Sequence, residues 1–276
     1  MAKILEKERL SDVVVKITID SPQIAKKRKA GQFVVMRINE TGERIPLTIA
    51  DADEKAGTLT IIFQEVGKST MLLGSLNVGD KIVDVVGPLG KPTHIEMFGA
   101  VASIGGGVGI AALYPITEAL HKAKNSIVSI IGARTKNLLM LEDEMRAVSD
   151  EFFITTDDGS YGEKGLVTNV LTNVIEKGKK LDIVFAVGPV PMMKAVSDVT
   201  RTYGIRTVVS LNSIMVDATG MCGACRCTVE GKTRFVCVEG PEFDGHAVDF
   251  DELMKRQKAY IEQEKKSIEL FSGKKP

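Results

Sequence analysis

Val101-Ala-Ser-Ile-Gly105-Gly-Gly-Val-Gly109-Ile-Ala-Ala-Leu-Tyr-Pro115 decides the fold of this chain of 276 residues. A short apolar run ends in a glycine cluster and helix-forming residues follow at once, so a strand must turn directly into a helix. Such a turn lets backbone N–H groups at the helix start approach a pyrophosphate. The match to a dinucleotide fingerprint is partial, best as Gly107-x-Gly109-x-x-Ala112, and a tight turn without a ligand is the competing reading. Downstream, strands are expected at 126–131, 152–155, 183–187 and 207–211, alternating with helices at 139–147, at 167–176 and after Pro191. That alternation predicts a parallel α/β sheet with helices on both faces. Upstream, β-rich runs at 13–19, 33–38, 47–50, 59–64 and 82–86 are separated by turn residues, the pattern of a small antiparallel β-barrel. The expected division is a barrel over 1–98, an α/β domain over 99–211, and a small lobe with a charged C-terminal helix over 212–276. Phe250, Leu253, Met254 and Ile261 mark one face of that helix.

Composition narrows the classes. Basic and acidic residues balance at 36 each, which argues against a nucleic-acid footprint, and no apolar run has membrane-spanning length. The charged start Met1-Ala-Lys-Ile-Leu-Glu-Lys-Glu-Arg9 is not a signal peptide, so a reducing, cytoplasmic setting is expected and disulfides are not.

All four cysteines fall late, in Asp217-Ala-Thr-Gly-Met-Cys222-Gly-Ala-Cys225-Arg-Cys227 and at Cys237. The plant-type 2Fe-2S loop spaces its ligands C-x4-C-x2-C with a distant fourth cysteine. On that spacing Cys222, Cys225 and Cys237 take the second, third and fourth places, and Asp217 takes the first. A carboxylate oxygen is a harder donor than thiolate but binds iron. The alternative ligand set replaces Asp217 by Cys227. A zinc ribbon would present two C-x2-C knuckles, and only one is visible; buried structural cysteines are the remaining reading.

Other motifs are individually unspecific. Val187-Gly188-Pro189-Val190-Pro191-Met192 ends a strand on the edge of the sheet where open α/β folds bind ligands, and Gly188, Pro189 and Met192 are candidates to approach a nicotinamide. In the barrel, Arg44-Ile-Pro46-Leu47-Thr48 and Gly67-Lys68-Ser69-Thr70 supply a cation, hydroxyls and backbone donors suited to a flavin nucleotide. Ile62, Phe63 and Gln64 are candidates to line its ring or ribose. Arg134 follows the second strand of the α/β unit, where an arginine could clasp a 2'-phosphate, and no acidic residue follows that strand immediately to take a ribose hydroxyl. Taken alone, that chemistry favours NADP.

The order of these pieces, R-x-P-L-T and G-K-S-T, then G-G-G-V-G-x-A-A-x-Y-P, then V-G-P-x-x-M, resembles the ferredoxin reductase superfamily over nearly the whole chain. With the cysteine segment appended it is similar to the electron-transfer subunits of dihydroorotate dehydrogenase. The stretches Asp217-Ala-Thr-Gly-Met-Cys-Gly-Ala-Cys-Arg and Gly-Pro-Glu-Phe-Asp-Gly-His-Ala-Val-Asp-Phe-Asp-Glu-Leu are further similar to the small (alpha) subunits of NADH-dependent reduced ferredoxin:NADP+ oxidoreductases, also called sulfide dehydrogenase beta subunits. The resemblance implies FAD on the barrel, NAD(H) at Gly107, Val108 and Gly109, and one 2Fe-2S cluster. It also implies a larger partner subunit in a heterodimer, carrying another FAD and 4Fe-4S clusters and reaching ferredoxin and NADP(H), in an electron-bifurcating enzyme. In such an enzyme electrons entering at the partner reach this chain's cluster, then FAD, then NAD+. The dihydroorotate-type relatives use four cysteines and lack the Asp217 arrangement. Pro46-Leu47 departs from the usual Tyr-Ser pair, and Val187 stands where many members have cysteine. No general acid or base is required, so His94, His121 and His246 are expected to be surface or packing residues. A freestanding NAD(P)H:acceptor reductase and a colourless NAD(H)-sensing module are the competing classes. On nucleotide choice the resemblance outweighs Arg134, and NAD(H) is expected.

If Arg44 bonds a flavin phosphate, Arg44→Ala removes a charge-assisted hydrogen bond and should weaken flavin binding by about 1.5–3 kcal/mol. Equilibrium dialysis against FAD measures this; full retention of flavin would remove Arg44 from the site.

Overall fold

The computed structural model describes residues 1–273; the last three residues of the expected third segment lie outside them. The first unit is built from β1 (Ala2–Arg9), β2 (Val14–Asp20), α1 (Pro22–Ala25), β3 (Phe33–Arg37), β4 (Arg44–Asp53), β5 (Thr58–Gln64), α2 (Lys68–Ser75), β6 (Lys81–Ile82) and β7 (Asp84–Leu89). All its pairings are antiparallel, in the order β6-β1-β2-β5-β4-β3-β7. Strands β6 and β7 are separated only by Val83; Ile82 pairs with Ala2 at one edge and Asp84 with Arg37 at the other. One bent strand thus meets both edges, which leaves a nearly closed barrel with little free edge. Alternation drives it: in β2 and β5, Ile17, Ile19 and Leu59 are fully buried between the less buried polar neighbours Lys16, Thr18, Asp20, Thr58 and Thr60.

The second unit comprises β8 (Ala100–Gly106), α3 (Gly109–Lys122), β9 (Ser126–Ala133), α4 (Glu142–Ala147), β10 (Glu151–Thr156), β11 (Glu163–Lys164), α5 (Val167–Glu176), β12 (Ile183–Val187), α6 (Val190–Thr202) and β13 (Arg206–Ser210). Its strands lie in the order β11-β10-β9-β8-β12-β13, every pair of them parallel. Strand order reverses between β8 and β12. That switch point opens a crevice at the carboxyl edge of the sheet, flanked by the turns after Gly106 and Val187. The buried strand β12 reads as a continuous apolar run and β9 as one broken only by the buried Ser129, as parallel strands covered on both faces do.

The C-terminal segment forms β14 (Arg226–Val229), β15 (Lys232–Phe235), α7 (Val236–Glu239), β16 (Glu242–Asp244), α8 (Phe250–Gln257) and α9 (Ile261–Phe271). It is not a separate appendage. Strand β16 joins the large sheet antiparallel to β13, with Ser210 opposite Glu242. The structure departs from the sequence reading in three further places. Strand β1 was not expected, because outside Ala2 and Ile4 its side chains face solvent and are mostly charged. The helix expected over 139–147 starts at Glu142, since Leu141 sits in the left-handed region at φ 54°. The single C-terminal helix is two.

Segment 90–93 clamps the barrel to the third unit: Lys91 N donates to Gly240 O, Thr93 N to Ala30 O, and the Thr93 hydroxyl to Glu242 Oε1 at 2.6 Å. Gly31, at φ +80°, leaves room for this bond; a Cβ there would lie 2.2 Å from Thr93 Oγ1. Burial lifts the Glu242 carboxyl from 4.5 to about 7, partly opposed by the Thr93 bond. Between those values the folded chain holds the proton and the unfolded chain has released it, so this group's stabilising contribution is full below 4.5 and is lost as pH rises through about 7. Replacing Glu242 by Gln keeps an acceptor without the charge. The fall in melting temperature from about pH 5 to about pH 8 should therefore be shallower in Glu242→Gln than in the parent; identical slopes in both proteins would contradict the assignment.

Candidate functional site

A single cavity of 1130 Å³ lies in the crevice, between the barrel and the carboxyl edge of the sheet. Its volume exceeds the roughly 300–1,000 Å³ typical of a small-molecule pocket, and its walls come from all three units. The barrel contributes Pro46, Leu47 and Thr48 of β4, Ile62, Phe63 and Gln64 of β5, and Thr70 of α2; the α/β unit contributes Gly107, Val108, Gly109, Arg134, Gly188, Pro189 and Met192. Two groups of candidates read from separate motifs therefore face one space. Arg44, Gly67, Lys68 and Ser69 are not in its wall.

Glycine is required at the crevice by contact as well as conformation. A Cβ on Gly109 would lie 2.5 Å from Val187 O and 2.7 Å from Gly188 Cα, and one on Gly106 would lie 2.4 Å from Met192 Sδ. Gly107 turns the chain at φ +53°, and its N–H is tied to Gly132 O at 2.9 Å. The start of α3 is thereby pressed against the end of β12; the amides of Ile110 and Ala111 bond back to Gly107 O and Val108 O at 3.1 Å, which among the described residues leaves those of Val108 and Gly109 open at the turn. At α2 the arrangement differs. The Thr70 hydroxyl accepts from the amides of Val66 and Gly67 at 3.1 and 3.0 Å, so it caps the helix, and Ser69 Oγ donates to Glu43 Oε2. What remains open at this end of the barrel is the first-turn amides of α2 and the cation of Lys68.

Residues that sequence reading missed also line the cavity: Thr155 in β10 and Asp157 just after it, the run 210–213 with Met215, Pro241, and Gln257 at the end of α8. Gln257 Nε2 donates to Asn212 O at 2.9 Å, fixing the run that leads from the sheet into the cysteine loop. Asp157 was findable, because it opens the turn Asp157-Asp-Gly-Ser-Tyr-Gly162 at the carboxyl end of a parallel strand. Residues 210–213 carry no such signal.

The cysteine loop is tightly turned: Ala218, Gly220 and Gly223 take φ of 60°, 84° and 67°. A non-glycine residue in that region costs about 1–2 kcal/mol, so Ala218, 1% exposed, is held by its packing. Asp217 Oδ2 accepts from Cys222 N at 3.1 Å and Oδ1 from Thr219 N at 3.0 Å. The Thr219 bond chiefly holds the Asp217 carboxyl below its ordinary range. Cys225 and Cys237 bring their sulfurs to 3.2 Å, and Cys237 N donates to Cys225 Sγ at 3.4 Å. Burial, then the contact with Cys225, pushes the Cys237 thiol up to about 12. Cys227 points into the core from β14, and burial, then Glu252, pushes its thiol up to about 12 as well. Cys222 is exposed. Among the described residues no three such side chains are yet gathered at ion-binding distance. The donors nevertheless suit an iron-sulfur cluster, with paired thiols, a preset carboxylate and backbone N–H groups aimed at sulfur; loading would displace the thiol protons.

A barrel and an α/β sheet sharing one cavity, with a cysteine loop tied to its wall, define a nucleotide-dependent oxidoreductase. Residues 104–198 match the oxidoreductase NAD-binding domain, and residues 212–249 match the iron-sulfur cluster binding domain of dihydroorotate dehydrogenase B. The chain is 50% identical to a dihydroorotate dehydrogenase B (NAD(+)) electron transfer subunit homolog of Thermotoga maritima, covering 98% of this chain and 95% of that one. It is 34% identical to the electron transfer subunit of Geobacillus thermodenitrificans, over 87% and 94% of the two chains. A chain from the solved structure of an NADH-dependent reduced ferredoxin-NADP oxidoreductase, described for flavin-based electron bifurcation, superposes with TM-score 0.94 at 48% identity, over 98% of both chains. The chain belongs to the family of dihydroorotate dehydrogenase B electron transfer subunits and their homologues. It is an oxidoreductase with the ferredoxin reductase-like fold and an iron-sulfur binding domain. Among the described residues no helix is long and apolar enough to cross a membrane.

Gly109→Ala should drive its methyl into Val187 O and Gly188. Overpacking of this kind costs typically 1–3 kcal/mol, so thermal stability should fall and nucleotide affinity with it. A variant that melts like the parent and binds nucleotide equally well would show that the crevice relaxes freely.

Proposed function

We propose that this chain exchanges hydride between NAD(H) and FAD and single electrons between FAD and a 2Fe-2S cluster, as the small subunit of a heterodimer whose larger partner carries a second FAD and 4Fe-4S clusters. The complex in which it works is an electron-bifurcating NADH-dependent ferredoxin:NADP+ oxidoreductase. The observation that carries this reading is the single cavity walled jointly by the barrel motifs, the Gly107 turn and the Gly188-Pro189 turn.

When bound, FAD supplies the step from electron pairs to single electrons. The chain's own residues bind and orient. Pro46, Leu47, Thr48, Ile62, Phe63 and Gln64 would hold the flavin ring and ribose, with Arg44 and the Gly67-to-Thr70 turn serving its phosphates through Lys68 and the open amides of α2. Thr70 acts there by fixing that turn. Gly107, Val108 and Gly109 would take the nucleotide pyrophosphate at the start of α3, and Gly188, Pro189 and Met192 would seat the nicotinamide. The glycines permit this by leaving the crevice floor unfilled; Met192 lies across Gly106 and Gly188. Asp217, Cys222, Cys225 and Cys237 would hold the cluster. The likeness of nearly the whole chain to a structure described for electron bifurcation supports the placement in such a complex.

Anaerobic NADH titration of the purified complex tests the reading. Flavin absorption should bleach, and the paramagnetic signature of a reduced 2Fe-2S centre should appear. FMN in the extract, or a protein without flavin and iron, would overturn it. The ligand set has its own test in iron content and charge-transfer absorption. Cys227→Ser should retain two irons per chain, as a 2Fe-2S centre requires, while Cys237→Ser should lose or badly weaken the cluster. Loss of iron in Cys227→Ser with retention in Asp217→Ala would give the fourth place to Cys227.

A further inference from the structure

A hydride is a proton carried with two electrons. If the cavity exchanges hydride with NAD(H) while the cysteine loop passes electrons singly, reduction of NAD+ (NAD+ + 2e− + H+ → NADH) takes up one proton per electron pair inside the chain, and the reverse direction releases one. The hydride step needs no acid or base, but the passage as a whole needs a proton carrier. The cavity wall offers none at the nicotinamide end. Its ionisable residues are Arg134 and Asp157, which follow β9 and β10. Those strands lie two and three places from β12 in the sheet, roughly 10 and 14 Å at about 4.8 Å per strand. Directly behind the wall, however, stands Glu242. Val209 pairs with Ala186, so the next residue, Ser210, lies beside the end of β12 where the Gly188-Pro189 turn departs. Ser210 lines the cavity, and among the described residues its hydroxyl has no hydrogen-bond partner. Glu242 is opposite Ser210 in the β13–β16 ladder, which puts their Cβ atoms on one face of the sheet, roughly 4.5–5.5 Å apart. Thr93 Oγ1 donates to one carboxyl oxygen at 2.6 Å; among the described residues the other oxygen has no partner.

We propose that Glu242 is the proton relay of this site: through the Ser210 hydroxyl, its carboxyl delivers to the cavity the proton that NAD+ reduction consumes and accepts the one that NADH oxidation releases. The inference rests on the proposed hydride and single-electron function. In delivery the Ser210 O–H bond breaks toward the cavity, the Glu242 O–H bond breaks toward Ser210, and a new O–H bond forms on Ser210. No electron moves with the proton, and the carboxylate regains its own from water at the partly exposed edge of the residue. Burial lifts this carboxyl to about 7, and a group poised near the working pH can both give and take a proton. The charges on the elements packed around it are directed elsewhere. Lys91 acts on Glu239, Arg206 lies 5.7 Å from the Phe98 ring, and Asp244 Oδ1 accepts from His246 N, while Lys29 is exposed. Only burial and the Thr93 bond set the Glu242 carboxyl.

The two directions of turnover, measured on the intact, cofactor-loaded complex with one-electron partners, test the relay. Ferricyanide serves as acceptor from NADH, and reduced methyl viologen as donor for NAD+ reduction. In the parent, NADH oxidation needs the carboxylate and should quicken as pH rises through about 7, whereas NAD+ reduction needs the acid and should slow over the same range. Glu242→Gln should lose both limbs and run both directions roughly a hundredfold slower, the low end of what positioned proton transfer contributes. Bleaching of the flavin by NADH in a single turnover moves only the hydride, so it should keep the parent's rate in that variant. Ser210→Ala should likewise lose the limbs, and Ser210→Thr, which keeps a hydroxyl, should restore them. Without turnover, infrared titration of the parent should show a protonated carboxyl band that disappears as pH rises through about 7 and is missing from Glu242→Gln. Opposed limbs that persist in a folded Glu242→Gln protein would overturn the proposal, as would parent limbs of the same sign in both directions or slowed bleaching in the variant. A parent whose flavin NADH does not bleach would instead overturn the hydride reading beneath it.

Discussion

The site depends on backbone meeting backbone where α3 begins. Gly109 allows the first turn of the helix to press on Val187 O and Gly188, and Gly106 and Gly188 leave the space that Met192 crosses. Side chains at these positions would part the end of β12 from the start of α3, and the crevice at the strand-order switch would lose its floor. Helix-start amides and the β12 turn can address one ligand only because this approach is short. The chain therefore meets its main geometric demand with the absence of side chains, and chemical selectivity falls to the residues around the rim.

That division explains what the sequence made legible. The barrel and sheet strands could be read because β2, β5, β9 and β12 carry alternation or largely apolar runs, and the glycine turns because their composition has few other uses. Strand β1 could not, since the barrel wants only Ala2 and Ile4 inside and leaves the rest of AKILEKER facing water. Strand β16 is three residues long and acidic at both ends; only its tertiary pairing with β13 makes it a strand. The candidate site divides in the same way. Motif residues such as Gly107, Pro189 and Thr48 were found where they now face the cavity, whereas Asn212, Ser213 and Gln257 reach it through the path of the chain alone. Thr70 shows the limit of motif reading, since its hydroxyl is consumed by the cap of α2.

The cysteine loop poses a similar question about position. Its ligand candidates sit in a segment with little regular structure, yet the loop does not hang free. Arg256 of α8 donates to Ala224 O at 3.1 Å, between Cys222 and Cys225, and Gln257, the next residue, ties down Asn212 at the cavity wall. One short helix thus holds both the loop and the run that joins it to the sheet. Asp249 caps that helix by accepting from Glu252 N, and buried Phe250 and Leu253 anchor it.

Those anchors belong to a core that crosses every boundary in the molecule. Phe33 and Val35 of the barrel, Ile104, Val128, Val184 and Val209 of the sheet, and Met215, Ala218, Cys225, Cys227, Cys237, Phe250 and Leu253 of the C-terminal segment form one contiguous buried cluster. Between separately cored domains, relative motion is the default expectation. Here the cysteine loop has no core of its own to move with. Its distance from the cavity is set by the same packing that folds the sheet, and interiors packed at crystal-like density deform little. For the proposed passage of electrons between the cavity and the cysteine loop this arrangement is an advantage, because the separation is fixed on folding and does not wait on a docking event.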